Sequence, residues 1–432
     1  MQSAKITSRN PWSWIPSLYI AEGFPYIIVM SVSAVMYKRM AISNAEITLY
    51  TGWLYLPWVI KPFWSPIVDI FKKKRMWIIA MQSLIGAGLA GVAFTIPVSN
   101  FFQYTLAFFW LLAFSSATHD IAADGFYMLG LSEHDQSWFV GIRSTFYRIA
   151  FITGQGPLVI LAGELESSSG NIPYAWMISF FILAVLFLFF VIYHLFMLPQ
   201  PAKDKSVVEN ISVKSIIAEF LKTFFLFFKK KKMVLIIAFI LFYRLAEAQL
   251  TKVAPLFLLD PVAKGGIGLT TEQYGLVYGT LGAAALVVGG ILGGIVASKN
   301  GLKYWLFPML FAINLPDLVY VFLSYSQTQN IFITGLMIFI EQFGYGFGFT
   351  AFMLYLIYIS EGDRKTSHFA IATGLMALGM MVPGMFSGWL QELIGYKHFF
   401  IWVCFSTIPV FIIAKFIPLK PDFGMKKNET ST

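Results

Sequence analysis

The chain has 432 residues, of which 58% are hydrophobic and 12% are charged, and its mean hydropathy is +0.71. A soluble chain carries about 25% charged residues, so this composition excludes a soluble globular protein and predicts an all-α polytopic membrane protein. The net charge of +9 fits basic loops beside a membrane and requires no nucleic-acid partner. A single cysteine, Cys404, excludes an internal disulfide, and the first residues lack the cleavage pattern of a signal peptide.

Twelve apolar segments are long enough to cross a bilayer, which takes about 20 residues per helix. Proline, glycine, asparagine and charged residues separate them. The predicted spans are Trp14–Tyr37, Ile47–Val68, Met76–Pro97, Phe101–Leu131, Trp138–Gly163, Pro173–Leu198, Met233–Leu259, Glu272–Ala297, Tyr304–Tyr325, Asn330–Ile359, His368–Leu393 and His398–Pro418.

Lysine and arginine are unevenly divided between the loops on the two sides of these spans. Of the 31 Lys and Arg residues, 21 lie in the loops of one side, 4 lie in the loops of the other side, and 6 lie inside spans. Short loops rich in Lys and Arg stay in the cytoplasm. We therefore expect both termini to be cytoplasmic.

A long polar connection divides the spans into two sets of six. The predicted domains are an N-terminal six-helix bundle (1–198), a cytoplasmic central loop (199–232) and a C-terminal six-helix bundle (233–432). A weak internal repeat supports this division, because Ser132-Glu133-His134-Asp135 precedes the fifth span and Ser360-Glu361-Gly362-Asp363 precedes the eleventh. Two such halves, related by an axis along the membrane normal, are a known transporter layout.

The layout and the loop after the second span resemble the major facilitator superfamily. Asp69 and the basic run from Lys72 to Arg75 match the family's Gly-x-x-x-Asp-Arg-x-Gly-Arg-Arg signature, although its glycines are absent. The resemblance implies the major facilitator fold, with two pseudo-symmetric bundles of six transmembrane helices. It makes Asp69 and Arg75 candidates for an ion pair or a gate.

Three segments of the first half resemble the AmpG-type muropeptide permeases and the related acetyl-CoA transporters. They are Leu18–Pro25, Leu56–Asp69 and Ala117–Gly125, and in the last of these His119 replaces a glutamine that is typical of the family. The resemblance implies a proton-driven symporter in a bacterial inner membrane that imports a sugar–peptide, such as an anhydro-muropeptide or an amino-sugar oligosaccharide. Acetyl-CoA, a peptide, a drug or a siderophore stay open as alternative solutes.

Asp120 and Asp124 lie one turn apart on the fourth span, where an ionisable residue costs at least ~2.5 kcal/mol. The fourth and fifth spans run antiparallel, so Asp120 lies at the depth of Arg148 and Asp124 at the depth of Arg143. This pattern predicts two ion pairs, of which Asp124–Arg143 is a candidate gate. Asp120, next to the titratable His119, is also a candidate to exchange its arginine for a proton.

Glu22 lies near the middle of the first span and has no basic residue on the same helix face. A carboxyl group without a cation in a poorly solvated place favours its protonated form. Two interpretations are open. Glu22 is either a second proton site or a protonated side chain that is hydrogen-bonded within the bundle.

Polar and aromatic residues in the spans predict contacts with the solute. Arg244 and Glu247 are neighbours on the seventh span, and Glu341 on the tenth lies at a depth that allows a pair with Arg244. Lys61 on the second span is a candidate gate residue. A glycine-rich stretch, 344–348, allows either a hinge or close packing. The candidate aromatic residues for sugar stacking are Tyr26, Trp53, Tyr55, Trp58, Tyr127, Tyr147, Tyr243 and Tyr345.

The sequence contains no HExxH, GxSxG, CxxC or Walker pattern. A membrane-embedded acyl- or glycosyl-transfer enzyme is therefore the weaker alternative to a transporter. We expect no cofactor, no bound metal, a monomer, and transport by alternating access with protons moving inward.

Overall fold

The computed structural model describes residues 9–70, 73–201, 204, 213–361, 365–421 and 423, without the side chains of 66, 69, 70, 133, 134, 137, 140, 213–220 and 365–367. The described residues form 19 α-helices and no strand. The helices are α1 (Ile15–Ile27), α2 (Ser33–Arg39), α3 (Asn44–Trp53), α4 (Leu56–Ile70), α5 (Lys74–Thr95), α6 (Phe101–Gly130), α7 (Glu133–Gln155), α8 (Pro157–Ser169), α9 (Ile172–Met197), α10 (Val213–Phe228), α11 (Met233–Tyr243), α12 (Leu245–Leu259), α13 (Thr271–Tyr274), α14 (Ala283–Asn300), α15 (Leu302–Asn314), α16 (Leu318–Ser326), α17 (Ile331–Ser360), α18 (Lys365–Ser406) and α19 (Ile408–Ala414).

Within the described ranges, ten helical stretches are long and apolar enough to cross a membrane. They are Pro11–Arg39, Lys74–Thr95, Phe101–Gly130, Gly141–Ser169, Ile172–Met197, Met233–Leu259, Thr271–Asn300, Leu302–Ser326, Ile331–Ser360 and His368–Ala414. The last stretch has 47 residues and is interrupted at Gly395, where φ is +75°. It therefore comprises two of the predicted spans, and the predicted span Ile47–Val68 falls on α3 and α4.

The second predicted span differs from expectation in one respect. It is not one helix, because a turn at residues 54–55 separates α3 from α4. With this correction, the prediction of an all-α polytopic protein with twelve spans is confirmed.

The first span is continuous but irregular. Pro25 lies inside α1 and cannot donate the backbone hydrogen bond of a regular helix. A wider π-helical turn, Ile28–Val32, follows directly and leads into α2. Such turns shift the direction of the side chains that follow and are frequent at functional sites.

The contacts divide the chain into two compact units. Unit 1 comprises residues 1–40 and 54–217. In it α1 packs against α6 and α7, and α5 packs against α6 and α9. Its apolar core includes the fully buried side chains of Trp14, Ile78 and Phe126. α4 also packs against α6, so contacts link α1, α4, α5, α6, α7 and α9 within unit 1.

Unit 2 comprises residues 41–53 and 218–432. In it α17 packs against α14 and α15, while α3 and α12 pack against α18. A hydrogen bond of 2.6 Å from Asn44 Nδ2 to Gln391 Oε1 joins α3 to α18. The division into halves 1–198 and 233–432 stays a prediction, since residues 41–53 group with unit 2.

Candidate functional site

A close approach of two helices in unit 1 encloses Glu22, which lies on α1 and is 8% exposed. A Cβ atom on the next residue, Gly23, would lie 2.8 Å from the carbonyl oxygen of Tyr147 and 2.9 Å from Cβ of Ala150. Because glycine has no Cβ, α7 can approach α1 directly beside the carboxyl group. Glu22 therefore supplies the acid, and Gly23 allows the close helix contact that buries it.

Three side chains meet at this place, and we call them the acid–imidazole cluster: Glu22, His119 and Asp120. One carboxylate oxygen of each acid and one ring nitrogen of His119 lie within 4.8 Å of one another. In the described part of the chain, Oε2 of Glu22 and Nδ1 of His119 are buried without a hydrogen-bond partner. Groups at this spacing can share a proton or contact one small cation.

Asp120 is held by residues of α4. Its Oδ2 lies 3.5 Å from Nζ of Lys61 and accepts a hydrogen bond of 3.1 Å from Nε1 of Trp58. The predicted pair with Arg148 is wrong, because Lys61 takes that place. Arg148 is half-buried and makes no hydrogen bond or ion pair with the described residues.

Asp124 lies one turn further along α6 and faces Arg143 on α7. The distance from its Oδ1 to NH2 of Arg143 is 3.0 Å. The same guanidinium donates a hydrogen bond of 2.9 Å to the hydroxyl of Tyr19 and lies 4.9 Å from the ring centroids of both Tyr19 and Tyr127. The hydroxyl of Tyr127 donates to the carbonyl of Gln136. Arg143 thus joins α1, α6 and α7.

An aromatic group lies next to the acid–imidazole cluster. The hydroxyls of Tyr26 and Tyr55 are 2.8 Å apart and hydrogen-bonded. The Tyr26 ring meets Trp58 edge-on with centroids 5.2 Å apart, and Phe151 lies on its other side at 6.2 Å. Trp58 therefore belongs both to this group and to the partners of Asp120.

The remaining gate candidates of the first half lie elsewhere. The side chain of Asp69 is outside the described residues. Arg75 donates to the backbone carbonyls of Leu195 and Leu198 at the end of α9. Trp53, a predicted aromatic contact, belongs to unit 2 and is 42% exposed.

Arg244 in unit 2 is surrounded by aromatic rings. Its NH2 donates to the hydroxyl of Tyr345, and its guanidinium carbon lies 4.8 Å from the ring centroid of Phe349. Glu247 is 3% exposed, and neither of its carboxylate oxygens has a hydrogen-bond partner in the described ranges. Arg244 lies between α11 and α12, so it does not share a helix surface with Glu247 as the sequence predicted.

Glu341 is bonded to neutral groups. Its Oε2 accepts hydrogen bonds of 3.2 Å from the hydroxyl of Tyr320 and 2.9 Å from Nε2 of Gln342. It is 2% exposed, as is Asp317. Unit 2 therefore buries several acids. The partners of Glu341 are the hydroxyl of Tyr320 and the side-chain amide of Gln342.

Three buried polar residues are absent from the sequence-based candidates. Gln82 and His194 are fully buried and hydrogen-bonded to each other, and Gln82 is also hydrogen-bonded to His119. Lys252 is 7% exposed and donates a hydrogen bond of 3.0 Å to Thr51. One signal was available: Gln82, His194 and Lys252 are strongly polar residues inside apolar spans, where such residues are rare and functional.

Buried charged and polar side chains inside a bundle of membrane-spanning helices are typical of solute transporters. The chain belongs to the Major Facilitator Superfamily, whose sequence profile matches residues 17–366. It is therefore a multi-pass membrane transporter of a small-molecule solute and not an enzyme.

The chain is similar over most of its length to a putative transporter of the AmpG type and to an anhydromuropeptide permease. It is 28% identical to the putative transporter AmpG 4 of Rickettsia conorii, covering 93% of this chain and 95% of that protein. It is 24% identical to the anhydromuropeptide permease of Escherichia coli K12, covering 92% of this chain and 77% of the permease. The predicted likeness to AmpG-type permeases is thus confirmed.

Solved structures support the fold. The nucleoside transporter NupG matches with a TM-score of 0.68 at 17% identity, over 93% of this chain and 97% of that structure. A D-xylose–proton symporter matches with a TM-score of 0.68 at 12% identity, over 94% and 97%. At these identities the likeness shows the major facilitator fold.

Proposed function

We propose that the protein is a proton-coupled symporter that imports a sugar–peptide by alternating access. The solute class is that of an anhydro-muropeptide or an amino-sugar oligosaccharide. The support for this class is the similarity over nearly the whole chain to the anhydromuropeptide permease. We further propose a monomer in a bacterial inner membrane with both termini cytoplasmic, because Lys and Arg concentrate in the loops of one side.

The main support for proton coupling is that Glu22 is buried and has no partner for a negative charge in the part of the chain that the structure describes. The residue is 8% exposed, and its carboxyl group has neither an ion pair nor a hydrogen bond with the described residues. An isolated carboxylate is very costly in such surroundings, so the group is far more stable when it is neutral and protonated. A change that admits water or a cation would release the proton, which is the property that a coupling site needs.

The two neighbouring acids are less suited to carry the proton. Asp120 faces Lys61 at 3.5 Å, and Asp124 faces Arg143 at 3.0 Å. A nearby cation stabilises the ionised form of a carboxyl group. In our proposal Glu22 carries the proton, His119 contacts it, and Asp120 and Asp124 with their cations stabilise the helix arrangement or act as gates.

Groups in each unit suit recognition of a sugar–peptide. In unit 1, the tyrosine hydroxyls and the Trp58 ring of the aromatic group can hydrogen-bond and stack on sugar rings. In unit 2, the guanidinium of Arg244 can pair with a peptide carboxylate. We propose these as solute-binding residues, together with Tyr147, Glu247 and Glu341.

The test is uptake by proteoliposomes that contain the purified full chain. The solutes are a labelled anhydro-muropeptide, an amino-sugar disaccharide and acetyl-CoA, each with and without an inward proton gradient. We expect gradient-dependent accumulation of the anhydro-muropeptide or the disaccharide, and none of acetyl-CoA. A sodium gradient at constant pH is the control for the coupling ion.

Accumulation driven by the sodium gradient alone would contradict proton coupling. Gradient-driven accumulation of acetyl-CoA alone would contradict the solute class. Failure of all three solutes, with protein that exchanges none of them across the membrane, would overturn the whole proposal.

A further inference from the structure

A chain of four polar side chains, three of them fully buried and Ser17 partly buried, runs through unit 1 and ends at the acid–imidazole cluster. Ser17 Oγ lies 2.9 Å from Nε2 of His194. Nδ1 of His194 donates to Oε1 of Gln82 at 2.9 Å. Nε2 of Gln82 lies 3.0 Å from Nε2 of His119. We call these four residues the histidine relay. It joins α1, α9, α5 and α6.

The donors and acceptors of the relay determine where each imidazole proton lies. A neutral imidazole has one N–H donor and one acceptor nitrogen, and an amide offers a carbonyl acceptor and an NH2 donor. Because the Gln82 NH2 points to Nε2 of His119, that nitrogen accepts and the proton of His119 lies on Nδ1. Nδ1 is also the ring nitrogen without a hydrogen-bond partner among the described residues.

Because Nε2 is paired with Gln82, Nδ1–H is the ring donor of His119 that remains for the carboxyl groups of its cluster. A carboxylate oxygen of Glu22 and a ring nitrogen of His119 lie within 4.8 Å of each other, a gap that one bridging water spans. An N–H donor in this place stabilises the ionised carboxylate of Glu22 more than its protonated form.

The relay has a second arrangement, in which the hydrogen bonds between its members are kept with donor and acceptor exchanged. A half-turn of the Gln82 amide places its oxygen towards His119, whose proton then lies on Nε2. Nδ1 can then accept a hydrogen bond from protonated Glu22. At the other end, Nε2–H of His194 donates to Ser17, and the Ser17 hydroxyl donates to the carbonyl of Trp14, 3.2 Å away. In both arrangements each imidazole holds one proton, on a different ring nitrogen, so both rings stay neutral. The net change is the single proton on Glu22.

We propose that Gln82 and His194 are positioning residues that set the tautomer of His119 and so tune the pH at which Glu22 binds and releases its proton. This inference rests on the proposed proton-coupled transport. His194 and Gln82 touch neither the solute candidates nor Glu22, and they act only through His119.

Other charged and titratable groups also face Glu22 and must be unchanged for the relay to be tested. They are Tyr19 on α1 itself, Lys61 on α4, Asp120 and Asp124 on α6, and Arg143 and Tyr147 on α7. The test variants below alter none of them.

The test is the pH profile of gradient-driven uptake by proteoliposomes with the His194→Leu and Gln82→Leu variants. In His194→Leu the Gln82 amide has lost one partner and can adopt its second orientation. In Gln82→Leu no described residue donates to Nε2 of His119, so both variants allow the tautomer that favours protonated Glu22. We expect the pH of half-maximal uptake to rise by about half a unit to one unit, the equivalent of one net hydrogen bond. Solute exchange at saturating concentration, which needs no net proton movement, should stay within about twofold.

The second arm repeats His194→Leu in a His119→Gln background. An amide at position 119 has no tautomer, so the relay predicts that the shift disappears there. Tyr37→Phe is the matched control, because it removes another buried hydrogen bond of unit 1, the 2.8 Å contact with Thr105, outside the relay. It should leave the pH profile unchanged.

An unchanged or more acidic midpoint in His194→Leu, or a shift that persists in the His119→Gln background, would overturn the relay while coupled uptake by the wild type upholds the proposed function. Wild-type uptake that does not depend on pH would overturn both. Nitrogen NMR of ¹⁵N-histidine-labelled protein provides a readout without transport, since the relay predicts that His194→Leu changes the His119 tautomer.

Discussion

Arg143 contacts one acid and two aromatic side chains on neighbouring helices. It pairs with Asp124 at 3.0 Å, donates to Tyr19 at 2.9 Å and lies over two aromatic rings. Its side chain is 29% exposed, and that of Asp124 is 44% exposed. Solvent therefore weakens the ion pair, and the hydrogen bond and the cation–π contacts carry much of the stabilisation.

The two arginines of α7 provide a direct comparison. We expect Arg143→Leu to lower the free energy of unfolding by about 2 kcal/mol, since it removes one hydrogen bond and two cation–π contacts. Arg148→Leu is the control and should have a clearly smaller effect. Thermal unfolding of both variants in the same detergent measures the difference. Equal losses of stability would contradict the proposed role of Arg143.

At the residue scale, the sequence predicted contacts between helices that follow one another in the chain. Depth matching placed Asp124 opposite Arg143, because α6 and α7 are antiparallel neighbours. The same argument gave Arg148 as the partner of Asp120, and there it was wrong. Lys61 reaches Asp120 from α4, a helix that a depth argument between consecutive spans does not consider.

At the element scale, α17 shows how small residues determine packing. The stretch 344–348 was open to two interpretations, a hinge or close packing. The structure supports packing, since α17 is continuous from Ile331 to Ser360. A Cβ atom on Gly346 would collide with the carbonyl oxygen of Leu286. The glycines therefore allow α14 and α15 to approach the backbone of α17.

Alanine at Gly346 should therefore destabilise unit 2. The added methyl group has no space, and overpacking of this kind costs about 1–3 kcal/mol. Gly294→Ala on α14 is the control, because no atom lies within 4 Å of a Cβ at that position. We expect it to be neutral or slightly stabilising, as alanine favours helix more than glycine does. Thermal unfolding compares the two, and equal stability of both variants would contradict close packing at Gly346.

Hydropathy predicted the elements themselves because the bilayer requires long apolar helices. It did not predict the break at residues 54–55, or the grouping of α3 with unit 2. Both depend on contacts such as those of Asn44 with Gln391 and Tyr396. These residues are more than 300 positions apart in the chain, and a single sequence gives no signal for such pairing.

At the scale of the whole molecule, a transporter fold buries Glu22 without an ion pair or a hydrogen bond to the described residues. The family and the fold follow from the sequence profile and the solved relatives. The residues around Glu22 could be predicted in part, since the acids and His119 were evident in the apolar spans. Gln82 and His194 were not among the candidates, because a polar residue on its own in a span has no assigned partner until the helices are packed.

The central claim is that Glu22 carries the proton that is transported with the solute. The most direct measurement is proton entry into proteoliposomes, followed with a pH-sensitive dye inside the vesicles while the transported sugar–peptide is added outside. The wild type should acidify the interior when solute is added. Glu22→Gln should exchange solute across the membrane but cause no acidification. Solute-dependent acidification by Glu22→Gln at the wild-type rate would contradict the account.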